Sequence, residues 1–143
     1  NTMVLFYGVT GGSALAVWDG GCLNQYGATV NLKGLENALS AGNGGSIYLN
    51  GGKSNITMGD ENTVADHWYS AVHIDQNGYL EVNDGEHTIQ VKATPGKDRE
   101  DRDIWLCALD VRGYASFRGG VMHLDAGTGG TALINREVGE GTI

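Results

Sequence analysis

Proline occurs once and cysteine twice in this 143-residue chain. Cys22 and Cys107 stand far apart, with no CxxC or Cys/His spacing that would hold zinc. An oxidising compartment would allow them one disulfide. The alternative is two buried thiols, and Cys107 lies inside an apolar run. No apolar run approaches the roughly 20 residues needed to cross a bilayer, so membrane insertion is not expected. Basic residues are few, 9 against 17 acidic, which gives a formal charge of −8. No Lys/Arg stripe with interleaved aromatics offsets that charge, which argues against nucleic acid and against an anionic membrane as partners. A chain of this length buries roughly 70% of its unfolded surface and needs neither metal nor disulfide to be stable. It begins at Asn1 rather than Met, as a removed signal, another maturation cleavage or a trimmed terminus would each leave.

Glycine is abundant, with 24 residues. The glycines follow no three-residue period, which excludes collagen. Six Gly-Gly pairs separate short apolar runs, the pattern of many strands joined by tight loops. Thr2–Val9 and Ser13–Trp18 read as strands of a hairpin around Thr10-Gly11-Gly12, and Thr29–Leu32 as a further short strand. Ser46–Leu49 and Asn55–Met58 read as a hairpin around Asn50-Gly51-Gly52. His67–Ile74 is strand-like. Between Gly78 and Val111, Tyr79–Val82, His87–Ala93 and Asp103–Val111 read as three consecutive antiparallel strands. Ile89, Val91, Ile104 or Trp105, and Leu109 are the expected core. Lys33–Ala41, with Leu35, Ala38 and Leu39 at helical spacing, is the single helix candidate. Tyr114–Phe117, Val121–Leu124 and Thr131–Asn135 complete about ten strands, with no fixed-period repeat. The expected fold is an all-β antiparallel sandwich over residues 1–124. Residues 125–143 read as a glycine-rich extension: either a loosely ordered terminus, or a segment whose Leu133, Ile134, Val138 and Ile143 are suited to a neighbouring subunit.

No catalytic, cofactor or metal motif stands out, so no enzymatic role is expected. His67, His73, His87 and His123 lack ligand spacing. The carboxylates of Lys97–Asp103 are interrupted by Lys97, Arg99 and Arg102, which favours a solvated loop with local ion pairs over calcium. Asp75-Gln76-Asn77-Gly78 lacks the later acidic ligands of an EF-hand and reads as a turn. Ser13 stands in GGSA, not GxSxG. Asn55-Ile56-Thr57 matches an N-glycosylation acceptor. Trp18, Trp68, Tyr69 and Trp105 are candidates for a sugar platform, since aromatic faces stack on the C–H surface of pyranose rings. The competing role for the same residues is ordinary core or subunit packing.

The run DGEHTIQVKATPGKDREDRDIWLCALDVRG, Asp84–Gly113, carries a Gly-x-His-Thr-Ile strand, a polar loop and a closing Leu109-Asp110-Val111. It resembles jelly-roll domains of phage tail-fibre and receptor-binding tips, and of tumour necrosis factor and C1q heads. The same element is similar to late strands of jelly-roll carbohydrate-binding modules. The resemblance implies a structural or receptor-binding module on a virion surface or in another extracellular assembly, homo-oligomeric and trimeric. The alternative it implies is a secreted carbohydrate-binding module that takes a surface glycan.

Overall fold

A computed structural model describes residues 3–7 and 13–135, with side chains from residue 13 onward. In chain order the strands are β1 Met3–Tyr7, β2 Ser13–Val17, β3 Cys22–Gln25, β4 Thr29–Gly34, β5 Asn37–Ala41, β6 Ser46–Met58 and β7 Val64–Ala65. They continue as β8 Ser70–Ile74, β9 Tyr79–Val91, β10 Thr94–Pro95, β11 Cys107–Val111, β12 Tyr114–Phe117, β13 Val121–Asp125 and β14 Thr131–Asn135. Every pairing between them is parallel. Five strands form one sheet in the order β14-β11-β8-β5-β2. A second sheet bends through the long strands β6 and β9. Their first halves pair with β3 and β12, and their second halves with β4 and β13, while β1 adds to the edge of β4. The chain therefore winds as a three-faced parallel β-helix, each coil stacked on the one before.

The interior explains why these residues wind this way. Like side chains stack from coil to coil. Leu15, Leu39, Val72, Leu109 and Leu133 share one register position of the five-stranded sheet, and Leu32, Ile56, Ile89 and Leu124 share one of the bent sheet. Leu39, Val72, Leu109, Ile56 and Ile89 are all buried. Each fully buried aliphatic side chain contributes about 1.5–3 kcal/mol. One interior row is polar. Gln25 Nε2 donates to the carbonyls of Ala28 and Lys53, at 3.1 and 2.9 Å, and its Oε1 accepts from Ser54 Oγ at 2.7 Å. His87 places Nδ1 2.9 Å from Ser54 Oγ and Nε2 2.8 Å from the Asp84 carbonyl. This row fastens the inside of the corner where the bent sheet turns.

The corner after the five-stranded sheet is tight. Trp18–Gly21, Gly42–Gly45 and Asp75–Gly78 are each closed by an i to i+3 hydrogen bond of 2.9 Å. Asp19-Gly20 and Asn43-Gly44 hold positive φ at both central positions, as a type I′ turn requires. The corner before that sheet varies instead. It holds Leu35 and Glu36 in one coil, residues 59–69 in the next and 92–106 in the third, the last two joined through β7 and β10.

Several expectations are corrected. The fold is all-β, but it is a parallel coil rather than an antiparallel sandwich or jelly roll. His87–Val91, within β9, and β11 lie in different sheets and do not pair; Gly85–Ile89 belongs to a coil stacked between β6 and β13. Asn50-Gly51-Gly52 and Asn83-Asp84-Gly85 turn a corner without reversing the chain, so the flanking runs continue one strand each. β1 pairs with β4 and β2 with β5, not with each other, while Thr10-Gly11-Gly12 lies outside the described residues. Lys33–Ala41 is not helical: Ala38, Leu39 and Ala41 are buried along β5, and tertiary packing overrides helix propensity. Ile89, Val91, Ile104 and Leu109 are buried as expected, whereas Trp105 is exposed. Thr131–Asn135 adds a strand to its own chain's sheet, beside β11. Val138 and Ile143 lie outside the described residues.

Candidate functional site

A groove of about 650 Å³ runs over the outer face of the five-stranded sheet. The middle strands shape it. Ala38 and Leu39, Ala71 and Val72, and Ala108 and Leu109 are neighbours that are both buried in the core, so strict alternation fails at this level. Asn37, Ser70 and Cys107 line the groove from before that level, and His73 and Asp110 from beyond it. His73 Nδ1 lies 3.2 Å from Asp110 Oδ2, and His73 Nε2 lies 3.9 Å from Asp75 Oδ1. Cys107 Sγ donates to the Leu109 carbonyl at 3.1 Å.

The rim is aromatic and comes from the variable corner. Trp68 and Trp105 each stand two residues before a register pair, Ser70 and Cys107, so successive coils deliver an indole to the same edge. They are 61% and 68% exposed. Arg102 lies over the Trp68 ring, 5.8 Å from its centroid, a cation–π contact that steadies an otherwise free indole. Tyr69 completes the rim. Burial, reinforced by Glu36, pushes its phenol up to about 12, so it stays a neutral donor across the physiological range.

Three of the four sequence-predicted site residues, Trp68, Tyr69 and Trp105, therefore converge on one groove. Trp18 does not line it. Its indole covers Gly42 at the opposite corner, with Nε1 3.4 Å from Ser40 Oγ. Sequence reasoning missed Asn37, Ser70, His73 and Asp110 as partners of the aromatics, because they meet only across parallel coils.

The other candidates fall elsewhere. The Lys97–Asp103 loop pairs internally: Arg102 with Asp98 at 2.7 Å and Glu100 at 3.1 Å, and Lys97 with Asp103 at 2.8 Å. Hydrogen bonds from the Arg102 backbone, then the Arg102 side chain and the Glu100 backbone, hold the Asp98 carboxyl below its usual range. Among the described residues, no group of three or more His, Cys, Asp or Glu is placed to hold a metal. No disulfide joins the two cysteines among the described residues: Cys22 is exposed in the bent sheet and Cys107 is buried in the five-stranded one. Asn55 is exposed on β6 and donates to Asn31 Oδ1 at 2.8 Å. No family model, curated protein or solved structure matches this chain.

Proposed function

We propose that this chain is a non-catalytic, glycan-binding β-helix that works in an extracellular setting. The observation that carries the reading is the convergence of Trp68, Tyr69 and Trp105 on one groove floored by Asn37, Ser70, His73 and Asp110. Aromatic side chains gathered at one rim beside polar groups are the composition of a binding surface. Flat aromatic faces suit the C–H side of pyranose rings, and the amide, hydroxyl, imidazole and carboxylate beneath suit ring hydroxyls. Successive coils rise by about 4.8 Å. That rise is close to the length of one sugar ring, so adjacent indoles meet adjacent units of a chain.

The test is affinity electrophoresis against a panel of neutral and acidic polysaccharides. Trp68→Ala and Trp105→Ala should each weaken retardation roughly tenfold, about 1.4 kcal/mol, with the fold intact. Equal migration of wild type in every polymer gel and in a polymer-free gel would overturn the reading.

A second reading, self-association, rests on the last coil. Phe117 and Leu133 are 40% and 39% exposed, while their partners one coil earlier, Val82 and Leu109, are fully buried. Among the described residues no further coil covers these side chains, an arrangement that favours stacking by a second copy. Light scattering reads it directly: a mass of one chain at all concentrations would exclude it.

A further inference from the structure

Within the glycan-binding reading, on which this step rests, we infer that the groove takes an acidic glycan, one whose sugar rings carry carboxylates, and that Arg112 recognises the carboxylate. Arg112 follows β11 directly. Its backbone N–H donates to the Ile74 carbonyl at 2.7 Å, which fixes the base of the side chain, and the side chain lines the groove. Its Nε is buried without a hydrogen-bond partner, the one such side-chain nitrogen or oxygen among the described residues. Arg112 also makes no ion pair among them, whereas Arg102 and Arg118 each face a carboxylate. The carboxylate nearest in sequence, Asp110, is turned to His73.

A guanidinium N–H sealed from both water and protein acceptors is unfavourable, so the present position of the arm is weakly held. Rotating it into the groove would offer the edge formed by Nε and one terminal nitrogen. That edge is a planar fork matched to a carboxylate, which accepts two parallel bonds from it. A neutral sugar hydroxyl can satisfy one of those donors but not both. The overall charge of −8 does not forbid an anionic ligand. Exposed charges farther apart than about 8 Å are largely screened at physiological salt, and a direct contact inside a groove is not.

The experiment compares wild type, Arg112→Gln, Arg112→Lys and Trp105→Ala in gels holding polygalacturonate, alginate or hyaluronate. The same polymers after reduction of their carboxyls to alcohols, and dextran sulfate, are run beside them. Wild type should bind at least one carboxylated polymer ten times or more tighter than its reduced form. Arg112→Gln should lose that preference while keeping the weak binding to the reduced form, and Arg112→Lys should retain some of it. Trp105→Ala should weaken both forms alike. Circular dichroism melts of each variant confirm that it is folded. Equal binding of carboxylated and reduced polymers overturns the role of Arg112 and leaves the glycan reading standing. Dextran sulfate binding as tightly as the best carboxylated polymer overturns the carboxylate assignment. Binding neither to these polymers nor to any neutral polysaccharide overturns both.

Discussion

Replacing Ser54 by alanine removes one oxygen from the interior, and the structure makes that oxygen costly. Ser54 is 2% exposed and joins two other buried side chains, Gln25 and His87. Gln25 cannot turn its amide to compensate, because its Nε2 already serves the Ala28 and Lys53 carbonyls. His87 cannot swing out either, since it is fully buried with Nε2 on the Asp84 carbonyl. The substitution therefore strands Gln25 Oε1 and His87 Nδ1. Each buried polar group left without a partner costs about 1–3 kcal/mol. The expected loss is about 3 kcal/mol, or on the order of 10 °C in Tm. Urea unfolding followed by circular dichroism measures it, with an unchanged m-value as the check that the unfolding reaction is the same. The neighbouring Asn55→Ala is exposed and should stay within about 0.5 kcal/mol. A Ser54→Ala variant as stable as Asn55→Ala would refute the claim that this row fastens the corner.

Two further outcomes follow from the same structure. A Cβ at Gly45 would stand 1.9 Å from the Val17 carbonyl oxygen in the coil beneath, so Gly45→Ala must force the stacked turns apart. It should cost about 3 kcal/mol or more by urea unfolding, at the upper end for overpacking; a cost below about 1 kcal/mol would mean the coils are not stacked this closely. Asp98 ionises below its usual value of 3.8 through its bonds from Arg102 and Glu100. The order it gives the loop should hold above about pH 4 and fade as pH falls through the lowered value. Hydrogen-exchange protection of the Arg102 amide reads this, and protection unchanged down to about pH 2, or unchanged in Asp98→Asn, would contradict it.

Most strand positions were legible from the sequence, but their direction was not. Tyr79–Val82 and His87–Val91 alternate as strands do, and Asn83-Asp84-Gly85 carries the residues of a hairpin turn. In a coil those residues bend the chain by a corner, and the partner strand lies a whole coil away. That separation is irregular: Thr29 pairs with Lys53, 24 positions on, Lys53 with Glu86, 33 on, and Glu86 with Val121, 35 on. Insertions at one corner therefore hide the repeat from any search at fixed period. A signal was present nonetheless. Ser-Ala-Leu-Ala-Val, Asn-Ala-Leu-Ser-Ala, Ser-Ala-Val-His-Ile, Cys-Ala-Leu-Asp-Val and Thr-Ala-Leu-Ile-Asn are the five strands of one sheet, each with alanine second and leucine or valine third. Aligning them sets Trp68 beside Trp105 and His73 beside Asp110, which is the core of the site. The individual aromatics could be nominated from composition alone. Arg112 could not, because its significance lies in an unpartnered nitrogen that only packing reveals.

The most direct test of the central claim, that the rim of this groove holds a sugar chain, uses the three tryptophans as reporters. A nitrogen–proton correlation spectrum shows one indole signal each for Trp18, Trp68 and Trp105, assigned by single substitution to phenylalanine. Oligogalacturonate and oligoalginate are then titrated in separately. The groove predicts that the Trp68 and Trp105 signals move together along one binding curve while Trp18, at the opposite corner beside Ser40, stays fixed. A titration in which Trp18 moves and the other two do not, or in which none moves with either oligosaccharide, would contradict it.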